Sequence, residues 1–446
     1  MIRALTPVLL ALCLCAHACA DGLDAFVGQW SGAYVKDGST LRVDVRIARG
    51  DDGALAWSER MPEWLLYGWF DPEPATLDDA GALTAPSLYG GATLVLDEQR
   101  AEMIGACTEN GVTLHLKRVP PDPPETAPAE VEVSFGDDAR LAGTLVLPRG
   151  EGPFACVVMV HPRGCYTRAM GLRRARFFAR HGYAALAYDQ RGAGDSEGSC
   201  AGRTIDELTR DLTSAVACAR RHASIDPARV GVLGVSAGAW VCQGAAGVEQ
   251  RAGRPLAFVA TWVGPATSVA EQQRGSTLAL GAELGLSDQD VALVLEHVDL
   301  QLGAPDADAL ARFTEIERAA REGGWLNSMF APDDFPRDEE GFASLWLPRH
   351  RYDPAADLAS LEDTRYFAVF GSDDPIVPLD DNRAALVGAM GEGCTIVVVP
   401  GMGHDLSRAG ETRRVGDTDM YAFERPDPRP YERTLTFLRE IGMTTR

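Results

Sequence analysis

Between Val119 and Pro128 the chain carries five prolines in ten residues. Proline locks φ and lacks a backbone N–H, so neither a helix nor a paired strand runs through such a stretch. The run favours extended polyproline geometry, a semi-rigid spacer, and so divides the chain into parts that must fold separately. The two sides also differ in periodicity. From residue 21 to 118, short β-like runs such as Thr40–Ile47, Ala92–Leu96 and Val112–Leu116 are separated by Gly/Asp turns, for example at residues 50–53. Leu41–Ile47 alternates strictly between apolar and polar, as a sheet with one wet face requires. No helix-period segment intervenes, so residues 21–118 are expected to form a small antiparallel β domain.

Beyond the linker the pattern changes. Val131–Phe135 and Leu141–Leu147 read as an opening pair of strands, and the apolar run Ala155–Val160 as a strand covered on both faces. A helix over Leu172–Arg180, a strand over Ala184–Tyr188, a helix over Thr204–Arg221 capped by Thr204 with Glu207, and a strand over Arg229–Leu233 follow. This alternation specifies a mostly parallel sheet flanked by helices across residues 129–446. Strands at Leu256–Val263 and Tyr366–Phe370 are separated by roughly 100 residues. Within that interval lie helical patterns at Asp288–Leu302 and Asp306–Arg321, so a helical cap insertion is expected at about 265–360. Cys394–Val399 reads as the last strand and Tyr431–Ile441 as the closing helix.

At 446 residues the chain exceeds one ordinary core, in keeping with this division. Its formal charge of −22 excludes a general nucleic-acid binder and argues against docking on anionic lipid. Arg3, the apolar run Val8–Cys15 and the Ala18-Cys19-Ala20 pattern predict a secretory leader over residues 1–20 and an exported, periplasmic or secreted protein. Lipidation at Cys19 is the alternative, although Ala16 stands where a lipoprotein signal usually has Leu. No stretch approaches the roughly 20 apolar residues of a membrane-spanning helix. Seven of the ten cysteines lie beyond the leader, an odd number that leaves at least one thiol unpaired. None has C-x-x-C spacing, and no metal or cofactor is implied.

Gly234-Val235-Ser236-Ala237-Gly238 matches G-x-S-x-G between an apolar strand and a run of small residues. A sharp strand-to-helix turn there raises a serine oxygen above the sheet beside a helix N-terminus, the setting of an activated nucleophile. Gly194-Asp195-Ser196-Glu197-Gly198 also fits the pentapeptide but follows a loop, so Ser196 reads as a loop residue. A serine nucleophile needs a base, and the base an orienting carboxylate. Three histidines follow Ser236. His404 lies in a loop directly after the last strand and is the candidate base; His297 falls in a helical segment of the insertion, and His350 between Arg349 and Arg351 reads as a surface residue of the cap. Asp373 or Asp374, after the strand ending at Phe370, is placed to supply the carboxylate. Oxyanion donors would be the backbone N–H of Ala237 and one from His161-Pro162-Arg163-Gly164; Pro162 has none to give, which leaves Arg163.

Together the His161–Gly164 loop, Asp189–Ser196, the Ser236 elbow, Gly371–Pro378 and Gly403-His404 resemble the α/β-hydrolase superfamily. The likeness is to bacterial carboxylesterases related to serine-aminopeptidase and prolyl-oligopeptidase-like hydrolases, and it covers about residues 131–442. It implies an α/β-hydrolase fold with a helical cap and a Ser236-Asp374-His404 triad, since the family's spacing puts the acid three residues after Gly371. A small-molecule ester is the implied substrate, with a peptide as the alternative; an inactive hydrolase domain beside a ligand-binding β domain is a further one. In relatives the oxyanion loop usually begins His-Gly, and here it begins His161-Pro162. Arg163 and Arg168 bring positive charge there, expected either to pair with Asp189 or Asp195 or to recognise an acidic group on the substrate. Arg168 and Tyr166 are the candidate substrate contacts. In this fold the loops carrying Cys165 and Cys200 both leave the C-terminal edge of the sheet, which implies a disulfide between them. Gly28-Gln29-Trp30 resembles the G-x-W of lipocalins, and Trp30 reads as a core residue.

Overall fold

The computed structural model describes residues 22–443 apart from 51, 63–68, 71, 110, 122–127, 332, 408–411, 416–417 and 422–425. The expected leader and most of the proline-rich linker lie outside the described residues. The chain divides into two compact units, Met1–Ala127 with Glu411–Arg425, and Pro128–Gly410 with Pro426–Arg446. The expected boundary at the linker is therefore joined by a second one, at an excursion near the C-terminus. Its base is closed by a bridge between Ser407 and Pro426, and it carries the hairpin β17 (Thr412–Val415) and β18 (Thr418–Tyr421).

In the first unit eight strands pair with their sequence neighbours, and β1 (Gly28–Lys36) returns to β8 (Thr113–Val119), so the small β domain is a closed antiparallel barrel. Alternation explains closure. On β2 (Ser39–Arg49) the residues Leu41, Val43, Val45 and Ile47 are all buried, and they meet Trp30, Tyr34 and Trp57 in one core. Each such side chain contributes about 1.5–3 kcal/mol on leaving water. Arg118 lies over Trp30, 4.2 Å from the ring centroid, a cation–π contact at the β1–β8 seam.

One inward position breaks the apolar pattern. Glu59 on β3 (Leu55–Arg60) is 5% exposed and accepts a hydrogen bond from the Tyr34 hydroxyl at 2.5 Å. Burial pushes its carboxyl up from 4.5 to about 7. The raised value means the folded state binds the proton more tightly than the unfolded state does. Stability present below pH 4.5 is then lost as the pH rises through about 7, by roughly 3 kcal/mol. Glu59→Gln, which still accepts from Tyr34, is expected to stabilise the barrel at a pH of about 8 and change little at about 4. Pulse proteolysis in urea of the full chain, read on barrel fragments by mass spectrometry, measures this; a gain independent of pH would contradict it.

The second unit holds an eight-stranded sheet in the order β16-β15-β14-β13-β11-β12-β10-β9. Here β9 (Ala129–Phe135) and β10 (Leu141–Leu147) run antiparallel at one edge. From β12 (Ala184–Tyr188) through β11 (Phe154–Val160), β13 (Ile225–Val235), β14 (Phe258–Trp262), β15 (Arg365–Gly371) and β16 (Cys394–Val399) all pairs are parallel. The central strands are buried along their length, as helices on both faces require. Those helices are α1 (Arg168–Arg180), α2 (Ile205–Arg221), α3 (Gly238–Arg251), and, past the insertion, α7 (Leu379–Met390) and α8 (Arg429–Glu440). Thr204 caps α2 in a full capping box with Glu207.

Between β14 and β15 the insertion is helical, with α4 (Val269–Glu283), α5 (Asp288–Leu302) and α6 (Ala307–Glu322). Its aromatic cluster, centred on Phe313, Phe335 and Phe342, gives it a core of its own. Among the described residues no helix is long and apolar enough to cross a membrane.

Candidate active site

Ser236 stands between β13 and α3 with φ at +51°, in the left-handed region that residues other than Gly rarely occupy. Its N–H donates to the Trp262 carbonyl at 3.0 Å, which ties the strained turn to β14. Neighbouring Gly238 has a packing reason to be glycine, since a Cβ there would come 2.5 Å from the His161 carbonyl oxygen. This close approach places the start of α3 against the loop that follows β11. The serine oxygen therefore sits beside the positive end of a helix.

His404 comes from the loop after β16, and its Nε2 lies 2.9 Å from the Ser236 Oγ. Its Nδ1 lies 2.9 Å and 3.1 Å from the two carboxylate oxygens of Asp374, after β15. Asp374 is buried and held by its own turn, because Oδ1 also accepts the Ile376 and Val377 N–H groups, each at 2.9 Å. Asp373 is exposed and accepts from the Ser372 hydroxyl instead. The two candidate acids are thus separated by local geometry: the one whose oxygens reach the imidazole is Asp374. Gly371 keeps these loops together. A Cβ on it would lie 2.0 Å from the Met402 carbonyl, two residues before His404.

Among the described residues, neither the Ala237 nor the Arg163 backbone N–H has an intramolecular acceptor, so both are free to meet a developing oxyanion. The loop bearing Arg163 is pinned at three points. His161 is buried and donates from Nε2 to the Tyr188 carbonyl at 2.7 Å; burial pushes its pKa down to about 4 and keeps the ring neutral. Arg203 donates to the Gly164 carbonyl. A disulfide joins Cys165 to Cys200, their Cα atoms 5.8 Å apart, while Cys107, Cys156, Cys218, Cys242 and Cys394 are free.

The other candidates are placed differently. Arg168 makes the expected ion pairs and one more: its guanidinium sits 2.7 Å from Asp195, 3.8 Å from Asp189 and 3.2 Å from Glu132, with the side chain 21% exposed. Three carboxylates neutralise it. Tyr166 is half-buried, donates its N–H to Gln190 Oε1 at 2.9 Å and packs its ring beside Gly164. Arg163 makes neither of the expected pairs; its guanidinium lies 4.3 Å above the ring centroid of Trp346 in the insertion. Ser196 is structural, donating to the Asp189 carbonyl at 2.8 Å and accepting from the Ala142 N–H at 2.9 Å. His350 corrects the surface reading. It is buried against Trp346, four residues earlier and hence one helical turn away, with ring centroids 3.7 Å apart. His297 is buried too, donating to the Asp334 carbonyl at 2.9 Å.

Sequence reasoning missed Trp346 as a partner of the oxyanion loop. Only an aromatic residue in the insertion signalled it. Arg163 and Trp346 share a cavity of about 270 Å³ with Gln273, His297, Gln301 and Asp334. Among the described residues no group of three or more His, Cys, Asp or Glu side chains is placed to hold a metal ion.

A mixed sheet of this strand order, with Ser236 on the elbow after β13, Asp374 after β15 and His404 after β16, has the arrangement of an α/β-hydrolase fold. The family model for X-Pro dipeptidyl-peptidase, the S15 peptidase family, matches residues 137–346. The thiohydrolase aneE of Aspergillus aculeatus is 31% identical over 131 residues, 29% of this chain and 41% of that protein. The quorum-quenching protein AidA of Acinetobacter baumannii is 35% identical over 112 residues, 25% of this chain and 37% of that protein. The chain thus spans about two fifths of the curated relatives it matches. A puromycin-hydrolysing peptidase from Mycobacterium tuberculosis superposes with a TM-score of 0.44 at 15% identity, over 90% of this chain and 53% of that one.

Proposed function

We propose that the chain is an exported serine hydrolase that cleaves carboxylic esters through an acyl-enzyme on Ser236. The observation that carries this reading is the unbroken series from the Ser236 Oγ through His404 to Asp374, set on a strained elbow. His404 Nε2 takes the hydroxyl proton as Ser236 attacks the ester carbonyl. Asp374 holds the Nδ1–H and stabilises the imidazolium that forms. The N–H groups of Ala237 and Arg163 stabilise the oxyanion, about 3 kcal/mol for each donor. The imidazolium then protonates the leaving alcohol, and water, deprotonated by His404, releases the acid. No step calls for a metal or cofactor. The helical insertion acts as a cap, and the cavity shared by Arg163 and Trp346 is its substrate-facing side. Export rests on the leader pattern of residues 1–20.

The S15 family match supports a second reading, a peptidase working through the same three residues. Such an enzyme needs carboxylates free to anchor the substrate's amino terminus. Two acids of the insertion already serve the fold: Asp338 caps a helix by accepting the Gly341 N–H at 2.8 Å, and Asp334 accepts the Ala331 N–H at 2.5 Å. A panel of acyl 4-nitrophenyl esters and aminoacyl-proline anilides separates the readings. The ester reading expects kcat/KM at least about tenfold higher on the esters, beyond their difference in spontaneous hydrolysis. The reverse ratio would establish the peptidase.

A further inference from the structure

Next to the cavity lies a group of positive charges that, among the described residues, no carboxylate meets in an ion pair. Arg163, Arg203 and Arg349 come from the loop after β11, the turn before α2 and the short helical turn Trp346–Arg349. Arg203 donates from Nη2 to the carbonyl of Gly164, the residue after Arg163. Arg163 lies over Trp346, and Arg349 ends the same turn, with its Nε donating to the Leu345 carbonyl at 3.1 Å. His350 stacks on Trp346 beneath them. Arg163 thus lies on the Trp–His stack, Arg349 comes from the same turn, and Arg203 holds the loop that carries Arg163, so that Arg349 repels both of the others.

Arg191 and Arg220 of this unit, by contrast, face carboxylates: Arg191 pairs with Asp211 at 2.6 Å and Arg220 with Glu249 at 2.5 Å. Among the described residues, no Asp or Glu oxygen comes within 4.0 Å of Arg163, Arg203 or Arg349. Asp334 attracts Arg163 from the cavity wall at longer range. Arg203 is only 8% exposed, and its Nη1 is enclosed without a hydrogen-bond partner; the same holds for Nδ1 of His350, 2% exposed. Burial, and then repulsion from Arg349, Arg163 and Arg203, pushes His350 down to about 3, so its ring stays neutral and can donate. Arg203 and His350 are the buried members of the group, and a buried charge facing like charges is unfavourable unless an anion completes it. Arg163 and Arg349 keep part of their surface in water, so an anion can reach them.

We propose that Arg163, Arg203 and Arg349 bind a carboxylate carried by the substrate, so that the preferred esters are monoesters of short dicarboxylic acids. The proposal rests on the serine esterase reading and supplies its substrate class. Planar guanidinium groups suit a carboxylate because each offers two parallel N–H donors. Arg163 joins recognition to chemistry, since its backbone N–H faces the reacting carbonyl while its side chain belongs to the charge cluster. A carboxylate bound there fixes the acyl chain before attack.

The test compares mono(4-nitrophenyl) glutarate with 4-nitrophenyl pentanoate, matched in length and leaving group. The wild-type protein is expected to favour the anionic ester by at least about tenfold in kcat/KM, against its net negative charge. Arg349→Met and Arg203→Met are each expected to lower that ratio at least about tenfold, chiefly through KM. A ratio near one, or equal losses on both esters, overturns the site. Arg349 is half-buried and carries the test alone if Arg203→Met does not fold, as judged by circular dichroism. Calorimetry with glutarate on the Ser236→Ala protein tests the site without turnover. If glutarate binds and Arg349→Met weakens it while neither ester is cleaved, the anion site stands and the esterase reading falls. If both esters are cleaved without charge preference and glutarate does not bind, the site falls alone.

Discussion

Ser236→Ala is expected to lower kcat about 10⁴-fold or more on any ester the protein cleaves, with KM changed only a few-fold. Alanine keeps the Cβ, so the elbow is as crowded as before and its φ of +51° remains supported by the bond from the Ser236 N–H to Trp262. Only the Oγ is lost, and with it the 2.9 Å contact to His404. The free N–H groups of Ala237 and Arg163 remain, so a residual rate from oxyanion stabilisation and water attack is expected to persist. A fluorophosphonate probe is expected to label the wild-type chain at one site and the variant not at all. Ser196→Ala is the matched control, because that serine fits the same pentapeptide. Its hydroxyl bridges the Asp189 carbonyl and the Ala142 N–H, so its loss is expected to cost about 1–3 kcal/mol of stability while labelling persists. Labelling retained in Ser236→Ala and lost in Ser196→Ala would reverse the assignment of nucleophile.

That the two serines are distinguishable without coordinates shows what periodicity carries. The run Arg229–Leu233 before Ser236 and the small residues after it specify strand, turn and helix, and those elements are β13 and α3. The loop before Ser196 has neither, and its serine is spent on holding Asp189. A strand buried on both faces announces itself as a continuous apolar run, which is why Ala184–Tyr188 matches its strand residue for residue; the β-branched run of Cys394–Val399 does the same at the half-buried edge of the sheet. The barrel was harder to read. Strands such as β5 (Leu83–Ala85) are three residues long, too short for a period, and closure depends on the pairing of β1 with β8, some 85 residues apart in sequence. Helix α4 has apolar and polar residues on every side, so it carries no amphipathic signal at all.

At the site, legibility followed chain distance. Asp374 is held by its own next three residues, a local turn that Pro375 and Val377 write into the sequence. Arg168 pairs with Asp195 and Asp189, one of the two outcomes expected for it, and only its contact with Glu132 on β9 lies beyond the reach of local sequence. The fate of Arg163 is decided by Trp346 in the insertion, which nothing near the arginine encodes. His350 was misread for the same reason: flanking arginines suggest a surface, whereas the ring stacks on Trp346 and is buried.

Asp374→Asn is expected to lower kcat by about 10⁴-fold, close to the loss from Ser236→Ala, through a change of tautomer and without loss of fold. The turn dictates how the amide sits. Oδ1 of Asp374 accepts two backbone N–H groups, from Ile376 and Val377, so an asparagine must keep its carbonyl oxygen there. Its NH₂ is then forced to the position of Oδ2, facing His404 Nδ1. A donor at that place requires Nδ1 to be the acceptor, which puts the ring proton on Nε2, the nitrogen that must take the Ser236 proton. The nucleophile then has no base, although every heavy atom stays near its place. Nitrogen-15 spectra of His404 are expected to move the N–H signal from Nδ1 to Nε2, a change that loss of packing alone would not produce. Asp373→Asn provides the comparison: that carboxylate is exposed and meets Ser372, so kcat is expected to stay within about twofold. An Asp374→Asn protein that keeps a tenth or more of the wild-type kcat would show that His404 does not depend on this carboxylate for its working tautomer.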